Sequence, residues 1–253
     1  MEKLEIRFLF LILFLTVPHL VKSQFRVTME SGAAFSQYND VRVPNGESSS
    51  GTLFSLQDDF SPKPSAFFRL EMSYLIKGRH TVELTAAPLQ LGYEDAQLGE
   101  IDFAGTRFSG DGIDGSYQFN TYRASYRYRV TDNERWIVDL GATILARDAR
   151  IALSQGDVEA EDTDLGFVPL LSFNVNYHPN EKLVLVLKGD ALVGPQGRAE
   201  DVFAGTYYPI VKEGLRLKAG YRLIEGGADV DQVYNFAYIH FASVGLVYDF
   251  PLD

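Results

Sequence analysis

Period-two alternation of apolar and polar side chains runs through most of this chain, while helical periodicity is hard to find beyond its first residues. AFFRLEMSYLIK, residues 66–77, sets Phe68, Leu70, Met72, Tyr74 and Ile76 against Arg69, Glu71 and Ser73. TYRASYRYRV sets Tyr122, Ala124, Tyr126, Tyr128 and Val130 against Arg123, Arg127 and Arg129. RWIVDLGATILAR and GLRLKAGYRL repeat the pattern, with Asp139, Thr143 and Arg147, then Arg216, Lys218 and Arg222, on the polar side. Successive side chains of a strand point to opposite faces, so each segment has one apolar and one ionic face. Ten segments of this kind span 26–37, 66–77, 80–90, 114–130, 135–152, 165–177, 182–193, 201–211, 214–225 and 235–250. The pattern predicts an all-β chain: one antiparallel up-and-down barrel, with ten strands favoured over eight or twelve.

The links between segments give this sheet a direction. Gly78-Arg79, Thr131 to Glu134, His178 to Glu181 and Lys212-Glu213 are tight turns. The other five links, near 38–65, 91–113, 153–164, 194–200 and 226–234, read as longer. Short and long links alternate, so all the tight turns fall at one end of the sheet. That is the layout of a transmembrane barrel of the bacterial outer membrane, whose short turns face the periplasm. Pro169 conflicts with it, because a closed barrel offers no free edge for a residue without an N–H; a bulge near the outer rim would accommodate it.

Which face is outermost follows from the aromatic residues. Tyr74, Tyr126, Tyr128, Trp136, Tyr177, Tyr208, Tyr248 and Phe250 lie near the turns. Phe68, Tyr117, Phe119, Phe167, Phe236 and Tyr238 lie near the opposite strand ends. Two aromatic girdles at the headgroup levels of a bilayer produce this distribution. The ionic faces then enclose the lumen. The expected lumen network is Glu30, Arg69, Glu71, Glu83, Arg123, Arg127, Arg129, Asp139, Arg147, Lys188, Asp190, Arg216, Lys218 and Arg222. Enclosed charges must pair or be hydrated. Two readings stay open: a neutralising network that fills and stiffens a narrow lumen, or a small polar pore in which Arg123, Arg127 and Arg147 set an anion preference.

The first residues predict export. Lys3 and Arg7 precede the apolar run Phe8 to Val17, and Val21-Lys22-Ser23 supplies small residues near a cut site. These features describe a signal peptide over 1–23, whose apolar run is too short to span a bilayer as a helix. The remainder, 24–253, is then one barrel domain. The whole chain carries a net charge of -11. A balance this acidic argues against nucleic acid as a partner. No cysteine occurs, which excludes disulfides and thiolate zinc sites.

The segment SVGLVYDF places Ser243, Gly245, Tyr248 and Phe250 in a polar, glycine, alternate-aromatic order. It resembles the C-terminal assembly signal of bacterial outer-membrane β-barrel proteins, although Pro251-Leu252-Asp253 follow it. The resemblance covers the remainder in pattern and implies outer-membrane lipid, lipopolysaccharide and the barrel-assembly machinery as partners. The stretch Gly226 to Ala242, GGADVDQVYNFAYIHFA, is also similar to small proteobacterial-type barrels, and implies no activity.

Signals for chemistry are weak. His80 and His178 fall at turns. His240 and Ser243 are three apart on a strand and face opposite ways, so they make no nucleophile–base pair without a bulge. A hydrolase built on His240 remains a further alternative. The acidic stretch with Asp157, Glu159, Glu161, Asp162 and Asp164, and the 91–113 link with Glu94, Asp95, Glu100 and Asp102, could gather divalent cations. Neither has the spacing of an ordered calcium loop, and no cofactor or resident metal is expected. Gly110-Asp111-Gly112 and Gly226-Gly227 read as turns, since no helix follows them.

Overall fold

The structure, a computed structural model, describes residues 24–47, 49–194, 197–211 and 214–250. The expected signal peptide, the Lys212-Glu213 turn and Pro251 to Asp253 lie outside these residues. Ten strands close one antiparallel barrel among the described residues. They are β1 (Gln24–Arg42), β2 (Ser65–Ile76), β3 (His80–Ala87, resuming as Gln90–Glu94), β4 (Asp114–Asp132) and β5 (Trp136–Gln155). β6 (Val158–Tyr177), β7 (Val184–Gly194), β8 (Gly197–Pro209), β9 (Leu215–Val230) and β10 (Val233–Asp249) complete it. Each strand pairs with its neighbour in sequence, and β1 closes the ring on β10, with Met29 opposite Leu246 and Ala33 opposite Ala242.

The tight turns gather at one end, as the link pattern predicts. Lys77 and Gly78 turn the chain with positive φ. Asn133 Oδ1 accepts hydrogen bonds from the N–H groups of Arg135 and Trp136, and Asn180 Oδ1 does the same for Lys182 and Leu183. In both turns the side chain replaces a backbone partner.

The opposite end departs from the expectation of five long links. The 153–164 stretch is strand on both sides of a turn at Gly156-Asp157, so β5 and β6 rise together as a projecting hairpin. The 226–234 stretch is strand apart from Asp231-Gln232, and Gly226-Gly227 lies within β9 instead of in a turn. Within 194–200, residues 197–200 already belong to β8. Alternation continues in these stretches, but glycine, alanine and acidic residues dominate them, which hid them from the sequence pattern. Among the described residues only 43–64 and 95–113 form long links, and they fold together over the lumen with small hairpins of their own, including Glu100–Phe103 with Thr106–Ser109. Phe54, Leu56, Phe60, Ile101, Phe103, Phe108 and Ile113 form the buried core of this cap.

The barrel wall has the reverse polarity. Leu165, Phe167 and Leu171 point outward with 69–72% of their surface exposed, while Lys218 and Glu30 point inward and are at most 1% exposed. An apolar exterior around an ionic interior suits a hydrocarbon surround. Tyr117 and Phe119, expected in a girdle, instead share the inward parity of Arg123; Tyr117 is buried in the cap core and Phe119 packs against it. Phe68, Phe167, Tyr126, Tyr128, Trp136 and Tyr208 do face outward.

Pro169 also finds its place. The β6–β7 ladder ends at the Leu171–Ala191 pair, so Pro169 lies on a stretch of β6 without a β7 partner. No bulge is needed: β7 runs on to Gly194, but its ladder with β6 ends at Leu171, and proline is tolerated where no ladder bond is asked of its nitrogen.

Candidate functional site

The barrel encloses a layer of ion pairs contributed by most of its strands. Asp201, inward on β8, is its centre. It accepts from Arg69 Nη1 at 2.9 Å, from Arg123 Nη1 at 2.6 Å and from Arg222. Arg222 also forks onto Glu30, Nε to Oε1 at 2.9 Å and Nη2 to Oε2 at 2.8 Å. Lys218 donates to the same carboxylate. Arg69 Nε donates to Glu71 at 2.8 Å, and Lys188 Nζ bridges Glu71 and Glu83 at 2.8 and 2.7 Å. Arg127 reaches Glu83 at 2.8 Å and Ser172 Oγ at 3.0 Å, while Asp190 takes Arg123 at 3.0 Å and Thr143 Oγ1 at 2.8 Å. Toward the turn end, Arg129 pairs with Asp139 at 2.9 Å and Arg216 with Asp249. Near the loop end Arg147 pairs with Asp164 across β5 and β6. All fourteen residues expected in the lumen have inward parity, and the innermost form one continuous network.

Arginine suits this layer because its planar fork meets two carboxylates at once, as Arg222 does. The aromatic Phe203 supplies a platform: Lys218 Nζ lies 4.1 Å and the Arg222 guanidinium 5.4 Å from its ring centre. Glycine makes room for that ring. A Cβ at Gly205 or Gly220 would stand 2.4 or 2.8 Å from the Phe203 ring tip. Gly245 has a comparable role. It sits on β10 between Glu30 on β1 and Lys218 on β9 in register, and a Cβ there would approach the Met29 carbonyl oxygen to 2.1 Å. Its missing side chain leaves the space across which Lys218 reaches Glu30. Ser243 shares that inward face, whereas Tyr248 and Phe250 meet edge to face, ring centres 4.7 Å apart, beside the turn end.

Sequence reasoning missed Asp201, Phe203, Arg26 and Asp249. Asp201 and Phe203 lie in AEDVFAGTYY, where apolar and small residues occupy both faces. Their phase shows only through pairing: Asp201 lies opposite Ile224, two residues from the inward Arg222. Asp249 ends the last strand and binds Arg26 Nε at 2.6 Å.

The layer divides the lumen. Below it, toward the turns, a polar cavity of about 270 Å³ is lined by residues including Arg26, Arg129, Asp139 and Arg216. Above it lies a smaller cavity of about 70 Å³. His240 lies on the outer wall, with Nε2 2.9 Å from Gln37 and Nδ1 bonded to Tyr221. His240 and Ser243 therefore sit on opposite faces.

The acidic loop residues are largely paired. Arg150 holds Glu159 at 2.7 Å and Glu161 at 2.5 Å, Lys63 holds Glu94, and Arg107 holds Asp102 at 2.8 Å and Glu100 at 2.9 Å. Burial and then neighbouring Asp164 raise the Asp162 carboxyl above its ordinary range. Among the described residues no group of three or more His, Cys, Asp or Glu could hold a metal ion.

No protein-family model and no curated protein matches this chain. Among solved structures, the outer membrane protease OmpT from Escherichia coli aligns over 93% of this chain and 99% of its own, with 10% identity and a TM-score of 0.56. Ail, the attachment invasion locus protein of Yersinia pestis, aligns over 90% of this chain and 99% of its own at 14% identity and a TM-score of 0.42. A FadL homologue of Pseudomonas aeruginosa covers 89% of both chains at 6% identity and a TM-score of 0.38. The likeness to OmpT is one of fold.

Proposed function

We propose that this chain is an integral barrel of a bacterial outer membrane with a lumen sealed to ions, acting structurally or in surface contact through its capped end. The observation that carries this reading is the Asp201 layer. Its side chains are almost fully buried and mutually bonded, so an ion crossing there must break charge-assisted hydrogen bonds. The apolar cap is a second obstacle in series. A narrow barrel has a lumen that side chains can fill, which supports a plug over the small-pore alternative.

The apolar belt meets outer-membrane lipid and lipopolysaccharide, the turns face the periplasm, and the cap and the β5–β6 hairpin face outward. Export uses the 1–23 leader, and the barrel-assembly machinery receives the last strand by Ser243, Gly245, Tyr248 and Phe250. In this reading Gly245 serves assembly and plug together.

Purified protein in planar bilayers should give no stepwise current at any voltage and should migrate differently on gels before and after boiling. Regular conductance steps that persist in a cap deletion would replace the sealed reading by the channel.

A further inference from the structure

The projecting β5–β6 hairpin has one strand edge covered and one open. On its β5 side, β4 pairs with it as far as Asp114 opposite Ser154. On its β6 side the ladder with β7 ends at Leu171 opposite Ala191. Continued residue by residue, that register would set Gly194 beside Val168 and bring the β7–β8 turn no higher than Gly166. Residues 159–165 therefore run past the end of β7, and Glu159, Glu161, Thr163 and Leu165 are all exposed.

The backbone phase of this edge follows from the turn. Gln155 and Val158 close a two-residue hairpin loop, where the closing pair is hydrogen-bonded, and bonding to β5 then alternates along β6. Val158, Ala160, Asp162 and Asp164 turn their N–H and C=O groups to β5, while Glu159, Glu161, Thr163 and Leu165 turn theirs away. Pro169 fits the same phase. It shares the parity of Thr163, and the β5 ladder runs unbroken through its pair with Ile144 because its nitrogen faces away from β5. Among the described residues no backbone partner other than β5 reaches 159–165. A row of unpaired strand groups is a template for another strand.

Charge selects the strand that fits. Asp157, Glu159, Glu161, Asp162 and Asp164 stand here against Arg147 and Arg150, three negative charges in excess. The side chains of Glu159 and Glu161 stay more than half exposed although Arg150 touches both. A second copy of this edge would bring like charges opposite each other, which is destabilising. A strand with cationic side chains at alternate positions would meet Glu159 and Glu161 instead, with an apolar residue beside Leu165.

We infer that the β6 edge over 159–165 docks an extended basic segment of another protein as an added antiparallel strand, held by backbone hydrogen bonds and selected by Glu159 and Glu161. This rests on the surface-contact reading and gives it a partner class. A silent bilayer trace without docking would remove the partner and keep the sealed barrel; conductance with docking would do the reverse.

The test is saturation-transfer NMR of a capped peptide, VTTTKTK, with full-length protein in zwitterionic lipid nanodiscs and empty nanodiscs as the blank. Antiparallel pairing sets its valine beside Leu165 and its lysines opposite Glu161 and Glu159. It should bind saturably. Methylating the peptide nitrogens that face β6 keeps every side chain and charge, and should weaken binding about tenfold or more because several backbone bonds are lost. The charge-inverted peptide VTTTETE should also bind about tenfold or more weakly. Thr163→Pro removes one donor from the edge and, by the precedent of Pro169, none from the β5 ladder. It should keep heat-modifiable migration and lower affinity about fivefold or more. Equal binding of the methylated or the charge-inverted peptide, wild-type binding by a folded Thr163→Pro barrel, or no signal above the blank would each overturn the inference.

Discussion

The two buried regions of this molecule invert each other. Around Asp201 charged groups are enclosed and apolar ones face outward; in the cap, Phe54 and Phe103 are enclosed and Lys63, Asp102 and Arg107 face outward. The same chain builds both because the surroundings differ. A wall facing hydrocarbon gains nothing by hiding leucine, so its interior is free to be ionic provided every charge is matched. A cap facing water gains about 25 cal/mol for each Å² of apolar surface it buries, so it forms an ordinary core. Order in the wall rests on directional pairing and order in the cap on non-directional packing, and substitutions should separate the two.

The largest effect is expected at Asp201. Asp201→Ala removes the carboxylate shared by Arg69, Arg123 and Arg222 and leaves buried cations uncompensated, at a cost of about 3–5 kcal/mol. Reversible urea unfolding in lipid vesicles measures it. A loss below about 1 kcal/mol would mean that water replaces the carboxylate and that the layer is not dry.

Phe103→Ala should cost a similar amount, about 3–5 kcal/mol, because a buried ring leaves a cavity. That loss should stay local. Protease should cut faster within 43–64 and 95–113, while the barrel keeps its heat-modifiable migration. Simultaneous loss of the barrel would make cap and wall one cooperative unit and dissolve the contrast.

This difference also explains what the sequence could reveal. Wall strands announce themselves because hydrocarbon on one side and charge on the other force a two-residue period, as in Arg123, Arg127 and Arg129 against Tyr122, Tyr126 and Tyr128. The period weakens where both faces carry small or apolar residues, and there Asp201 and Phe203 went unassigned. Above the membrane the exterior constraint disappears, so the strands at 153–164 and 226–234 read as loops. The cap was illegible for another reason: its core joins Phe54 and Phe60 from one link to Ile101, Phe103 and Phe108 from another, a pairing that no local spacing records. The missing β7 partner of Pro169 was visible only as a conflict.

Gly245→Val should have an intermediate effect. It adds bulk between Glu30 and Lys218 where a Cβ already meets backbone, with an expected loss of about 1–3 kcal/mol from overpacking. A Lys218→Met background sharpens the reading. If Gly245 matters by leaving room for the ion pair, much of the penalty should vanish once the pair is gone; an unchanged penalty assigns the glycine to backbone approach alone.

The smallest effect should come from an ion pair that resembles the lumen pairs in geometry and differs from them in surroundings. Arg107 donates Nε to Asp102 Oδ1 at 2.8 Å and Nη2 to Oδ2 at 3.0 Å on the exposed cap hairpin. Its bond holds the Asp102 carboxyl below the ordinary range, so whatever it contributes is present above the unfolded carboxylate pKa of about 4 and is lost as pH falls through the lower folded value. Arg107→Ala should therefore leave cap proteolysis at pH 7 unchanged within error, since water and salt compete for both partners. The pH dependence of the variant should depart from that of the parent only below about pH 4. A pH 7 effect as large as that of Phe103→Ala would show that pairing geometry, not exclusion of water, sets the worth of a charge pair in this protein, and the ionic layer would then need no dry wall around it.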